Sequence, residues 1–292
     1  MRRAAPVLAS LLLAGLAACS NPPYPRGTVE ALYPQPPRPV LRQLAVDGRR
    51  LQLAEMAGRS GAAPLVFVHG SPGDWQAWSR YLSDPALATY GPRYAFDRPG
   101  FGGSEPGAVI TDLRVQARLL MQALDQLGGP APRPPAVLVG HSLGGPLVAW
   151  MALDRPEAVC AAVMIAGSVS ARREAPRWYN RLADTALARA LLPAELVWSN
   201  REMLALQPEL QRLEAALPAL QRPLWALQGG RDELVDPRTV SDLAARVPAS
   251  QLQVRRYPEA GHFLLWDQPA AVSAVLRELP CATPPSPQGR RV

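Results

Sequence analysis

The sequence predicts an α/β fold: a mostly parallel, eight-stranded sheet with helices on both faces and a helical cap insert. Three observations carry this reading. Short aliphatic runs without alternation, such as "PLVFVHG", "AVLVG", "AAVMIAG" and "PLWALQGG", read as strands buried on both faces. Segments with apolar residues at helical spacing separate them, as at Leu113, Ala117, Leu120, Leu124 and Leu127. Between Val169 and Arg222 the strand pattern stops, and about fifty residues of helical sequence follow, too long for an ordinary connection. That interval, 171–222, reads as a cap.

From the N-terminus, "MRR" and the apolar run "AAPVLASLLLAGLAA" precede Cys19. The run is shorter than the ~20 residues that span a bilayer, so 1–18 reads as an export signal. Leu16-Ala17-Ala18-Cys19 resembles the lipobox of bacterial lipoproteins, which implies lipidation of Cys19 and membrane anchoring in the cell envelope. Ser20 resembles the class retained at the outer membrane, facing the periplasm. Residues 19–39, with seven prolines between Ser20 and Pro39, predict an extended tether of up to roughly 60 Å. The domain proper is expected over 40–280 and a disordered tail over 281–292.

Within the domain, "LAVDGRRLQLAEM" predicts a hairpin turning near Asp47-Gly48. "PLVFVHG" is the next strand, "DWQAWSRYL" a helix capped by Asp74, and "RYAFD" a short strand leading into "RPGFGGSEPG", where Asp97 and Ser104 shape a turn. A helix over 111–127, the strand "AVLVG" and a helix through Leu147 to Leu153 follow. Beyond the cap come "PLWALQGG", a helix opening at Asp236-Pro237, the strand "LQVRRY" and a last helix from Gln268 to Leu279.

Composition removes several chemistries. All 31 positive residues are arginine, so Schiff-base, pyridoxal phosphate and P-loop enzymes, each of which needs a lysine amine, are excluded. The arginines alternate with acids and form no stripe, despite the net charge of +7, so no nucleic-acid partner is expected. With Cys19 acylated, Cys160 and Cys281 remain; a disulfide and two free thiols both fit that count. Oligomeric state is not legible.

The chemistry concentrates at "GHSLGG". A serine at the end of a buried strand, with Gly140 and Gly144 two positions to either side of Ser142, fits a tight strand-to-helix turn that has no room for side chains there. Serine needs a base, and of the three histidines His141 adjoins the serine and His69 closes an early strand. His262, in the loop after the last strand, remains. Asp232 directly follows a buried strand and is the carboxylate placed to orient that imidazole, whereas Asp236 and Asp267 read as helix caps.

The order Ser142, Asp232, His262, together with "HGSPG", "DRPGFGGS", "GRDELVDP" and "GHF", resembles the α/β-hydrolase fold family over residues 40 to 280. The resemblance implies a lid over 171–222 and an oxyanion hole from the backbone N–H groups of Leu143 and Ser71, with the side chain of Ser71 of little consequence. It implies hydrolysis of a small-molecule ester through an acyl-enzyme, with no metal or organic cofactor. Amide, thioester and carbon–carbon hydrolysis, cofactor-free peracid formation, and a non-catalytic envelope scaffold stay open. Trp75, Trp78, Trp178 and Tyr179 read equally as walls of an acyl pocket or as core. Arg172, Arg173, Arg177 and Arg181 read as a solvated face, or as a basic approach for anionic substrates or lipid head groups.

Overall fold

The computed structural model describes residues 24–127 and 133–281. Cys19, the export signal and residues 282–292 lie outside them. The strands are β1 (Val40–Val46), β2 (Arg49–Met56), β3 (Leu65–Val68), β4 (Arg93–Phe96), β5 (Ala136–His141), β6 (Val159–Ile165), β7 (Leu224–Gly229) and β8 (Leu252–Tyr257). They form one sheet in the order β1-β2-β4-β3-β5-β6-β7-β8. β1 with β2 and β2 with β4 are antiparallel, and all other pairs are parallel. Asp47 (φ 48°) and Gly48 (φ 73°) turn the hairpin in the left-handed conformation that a two-residue connection needs.

The helices are α1 (Leu113–Asp125), α2 (Gly144–Asp154), α3 (Trp178–Ala183), α4 (Ala186–Leu191), α5 (Ala194–Ala216), α6 (Thr239–Ala244) and α7 (Pro269–Glu278). Side chains alternate across the sheet with period two. Val66, Val68, Leu138 and Met164 face a core shared with α1, α2 and α5. Leu65, Phe67, Val137, Val139 and Val163 face a second core with Trp78, Tyr81 and α7. Both faces are therefore covered, which is why the central strands carry no polar alternation. The cap, α3 to α5, fills the interval between β6 and β7. None of the described helices is long and apolar enough to cross a membrane.

Two expected boundaries are corrected. From Tyr24 onward the chain is not an extended tether: Tyr24 and Tyr33 are buried, Tyr24 stacks on Trp266 at 5.2 Å, and the Gly27 N–H donates to Gln76 Oε1 at 3.0 Å. The two aromatic rings supply apolar area that the proline count conceals. At the other end Cys281 belongs to the domain and not to the tail, because it forms a disulfide with Cys160 of β6.

β3 lies between β4 and β5, so the chain runs from β3 to one side and crosses from β4 to the other, and the crevice at the carboxyl ends of strands at such a reversal is where open α/β sheets place ligands. The loops after β3, β5, β7 and β8 carry Ser71, Ser142, Asp232 and His262 respectively.

Candidate active site

Ser142 sits at φ 52°, a left-handed conformation that costs a non-glycine residue about 1–3 kcal/mol. The turn is held by Ser142 N–H to Ile165 O and Gly145 N–H to Ser142 O, both 2.9 Å. A Cβ at Gly140 would collide with the Gly144 carbonyl, and one at Gly144 with the Val68 carbonyl. Both glycines are thus required by close backbone approach, as the sequence predicts. Ser142 is a half-buried residue just ahead of α2, between the buried His141 and Leu143.

Asp232 and His262 meet. His262 Nδ1 lies 3.1 Å and 3.0 Å from the two carboxylate oxygens of Asp232, both residues being buried. The carboxylate also accepts the N–H groups of Leu234 (3.0 Å) and Val235 (2.8 Å) and the Gln228 amide (3.0 Å). Burial pushes the Asp232 carboxyl up, but the hydrogen bonds from His262 and from Val235 and Leu234 outweigh it and hold the group below the usual carboxylate range. It therefore stays ionised and fixes the Nδ1–H tautomer, leaving Nε2 free to accept a proton.

Among the described residues there is no hydrogen bond from the Ser142 hydroxyl to His262. What joins them is His141, whose Nε2–H donates to the His262 carbonyl at 3.1 Å and whose ring packs 4.8 Å from the His262 ring. Burial and the neighbouring His262 push His141 down to about 3, so it is a neutral donor. It braces the loop after β8 against the serine turn, a role that its place beside the serine did not reveal. A serine–histidine contact that closes only with substrate is common in enzymes of this chemistry.

The loop after β3 lies against the serine: a Cβ on Gly70 would stand 3.0 Å from Ser142 Cβ. Neither the Ser71 nor the Leu143 amide donates a backbone hydrogen bond among the described residues. The Ser71 side chain, expected to matter little, reaches Glu202 Oε2 of α5 at 2.5 Å and Ser199 Oγ at 3.0 Å. Glu202 in turn pairs with Arg98, which donates to the Gly70 carbonyl at 3.0 Å and to Gln116 at 2.9 Å. Under the same loop His69 Nδ1–H donates to Gly70 O (2.7 Å) and its Nε2 accepts the Arg98 N–H (3.0 Å). Burial and then Arg98 hold His69 neutral. His69 thus ties the loop after β3 to the loop after β4.

Other expectations separate by location. Asp97 accepts N–H groups from Trp75 (2.6 Å) and Gly103 (2.7 Å), and Ser104 Oγ donates to the Asp97 carbonyl (2.8 Å), so both shape the turn. Trp75 and Trp78 are buried in the core, Trp75 at the edge of a cavity lined also by Asp74, Gln76 and Asp97, whereas Trp178 and Tyr179 are exposed on the cap. Arg172 and Arg173 are ion-paired with Asp242, and Arg173 also with Asp236. Asp236 stands at the turn that opens α6, whose first residue is Thr239: its carboxylate accepts the Arg238 backbone N–H at 2.8 Å and the Arg238 guanidinium, and its carbonyl accepts the Thr239 N–H at 2.9 Å. Asp267 does not cap α7, whose N-cap is Gln268. No group of three or more His, Cys, Asp or Glu among the described residues is arranged to hold a metal.

Known proteins share this architecture. The acetyltransferase component of the acetoin cleaving system of Pseudomonas putida is 29% identical over 77% of this chain, which spans 65% of that relative's length. Human monoglyceride lipase is 27% identical over 74% of this chain and 80% of its own. The structure of a putative aryl esterase from Burkholderia cenocepacia superposes with a TM-score of 0.64 at 21% identity, covering 82% of this chain and 97% of that one, a likeness of fold. A sequence model of the alpha/beta hydrolase family matches residues 65–275, and the chain belongs to that family.

Proposed function

We propose that this enzyme hydrolyses carboxylic esters through an acyl-enzyme formed on Ser142. The observation that carries the reading is the buried Asp232–His262 hydrogen bond, braced through His141 against the strained serine turn. Ser142 Oγ attacks the ester carbonyl while His262 Nε2 takes its proton. The imidazolium is stabilised by Asp232 and returns the proton to the leaving alcohol; water, deprotonated by the same imidazole, then releases the acid. The amides of Ser71 and Leu143 are the donors assigned to the oxyanion, each worth about 2.7–4 kcal/mol in the transition state. Relatives named as a lipase and an esterase support an acyl substrate.

The reading includes the address. The resemblance of Leu16-Ala17-Ala18-Cys19 to a lipobox supports a lipid-anchored place in the bacterial envelope, and the Cys160–Cys281 disulfide agrees with an oxidising compartment.

A fluorophosphonate probe tests the chemistry. The wild type is expected to take one covalent adduct, and Ser142→Ala, folded by circular dichroism, none. An unlabelled wild type would favour a non-catalytic scaffold instead. Short and long p-nitrophenyl esters beside amides then define the acyl group. Cys19→Ser is expected to remove the acyl chains, seen as a loss of mass on the mature protein.

A further inference from the structure

Apolar side chains left outside the core are concentrated on two consecutive cap helices. Trp178, Tyr179 and Leu182 on α3 are exposed, and Leu187 and Leu191 on α4 are 73% and 76% exposed. In both helices the outermost pairs, 178 with 182 and 187 with 191, stand four residues apart and so share one face. Neither helix buries a single residue. Exposed apolar ridges on short helices without a core contact call for a partner.

The charge around them is basic. Arg177, Arg181 and Arg189 are exposed there, against Asp184, which lies 3.8 Å from Arg189, and Glu195, which Arg26 pairs at 3.4 Å. Arg172 and Arg173 do not contribute, since the α6 carboxylate of Asp242 holds them.

The N-terminal segment says where the partner is. Arg26 reaches Glu195 at 3.4 Å, and Glu195 lies four residues beyond Leu191, so the chain joins the domain beside these ridges. Tyr24 is the first described residue, five positions after Cys19. Five steps of at most ~3.6 Å cannot exceed about 18 Å. Resting on the anchor reading above, acylated Cys19 keeps Tyr24 within that distance of the bilayer surface.

We infer that the α3–α4 face of the cap docks on the membrane that holds the lipid anchor. Leu187, Leu191, Trp178 and Leu182 enter the boundary between head groups and acyl chains, and Arg177, Arg181 and Arg189 take anionic head groups. Trp266, which carries Tyr24, also packs 5.0 Å from the His141 ring, so the base loop lies under the point of attachment. A bilayer-dissolved acyl ester then reaches the serine from the membrane side.

The test uses the full-length lipoprotein, purified in detergent and reconstituted into vesicles of equal parts phosphatidylcholine and phosphatidylglycerol. With Cys160 and Cys281 bonded and Cys19 acylated, Leu187→Cys offers a single reactive thiol for an environment-sensitive fluorophore. Glu157→Cys, just before the opposite end of β6, is the control. Doxyl-labelled lipid is expected to quench the probe at 187 at least twofold and to leave the probe at 157 unchanged. Vesicles that float with the protein while 187 stays unquenched overturn the docking and leave the anchor standing. Failure to float overturns both. A concentration-dependent emission shift at 187 in lipid-free micelles makes the face an interface between two copies and also overturns the proposal. Hydrolysis of a water-soluble ester, measured in parallel, reports on the catalytic reading independently.

Discussion

Arg98 and Glu202 form a two-pronged ion pair, Nη1 to Oε1 at 2.6 Å and Nη2 to Oε2 at 2.9 Å, closed to solvent on both sides. It joins the loop after β4 to the cap helix α5, and its spare valences go to Gly70 O and Ser71 Oγ. The cap and the loop after β3 are thereby one rigid unit. Glu202→Ala strands a buried guanidinium and is expected to cost about 3–5 kcal/mol in urea unfolding. The pair replaced as a whole, Arg98→Met with Glu202→Leu, should lose much less. A loss below about 1 kcal/mol for Glu202→Ala would show that water reaches the pair.

Asp232→Asn probes the orientation of the base. The Asn Oδ1 can still accept from Leu234 and Val235, so the loop keeps its turn, and Gln228 can turn its amide, whose Oε1 has no partner, to meet the new Nδ2. The new amide donates to His262 Nδ1 and stabilises the wrong tautomer. On a short ester kcat should fall by about 10⁴ with little change in melting midpoint. A drop below tenfold would mean that the retained Oδ1, 3.1 Å from Nδ1, keeps the tautomer by itself.

Glu174 sets a pH dependence of stability. Burial pushes its carboxyl up to about 7, Asp232 and Asp236 add to that, and Ser168 and Arg177 oppose it. The folded value stands above the ordinary 4.5, so the folded state binds more protons than the unfolded one between those limits. Stability therefore falls as pH rises through that window. Glu174→Gln should match the wild type below pH 4.5 and exceed its melting midpoint at pH 8 by a few degrees, roughly 2–4 °C per kcal/mol. Parallel curves for the two proteins would refute the shift.

What the sequence made legible was local. The Asp47-Gly48 turn, the aliphatic strands and the glycines around Ser142 each follow from backbone demands within a few residues. His262 and Asp232 could be chosen because only three histidines exist and because each candidate follows a strand. What stayed hidden depends on distant partners. Arg98 lay in a recognised motif, but Glu202, 104 positions away, looks like any polar residue of a surface helix. His141 acts on a carbonyl 121 positions off. Trp78 and Trp178 are the same residue type with opposite fates, one fully buried under Phe67 and one exposed on the cap, which depends on the sheet above and not on local pattern.

The Cys160–Cys281 disulfide closes a loop of 121 residues and fastens the end of α7 to β6. Loop closure of that length restricts the unfolded chain by up to about 5 kcal/mol, and such bonds typically contribute about 2–4. Cys160 lies five residues before Ile165, the residue that holds the Ser142 amide, so the bond is roughly 17 Å of strand away from the Ser142 turn. Reductant should therefore lower the melting midpoint by several degrees while leaving kcat at room temperature unchanged. Cys281→Ser should reproduce that shift and abolish any further effect of reductant. A reductant effect on kcat without one on stability would instead place the bond in the catalytic machinery, against the distance along β6.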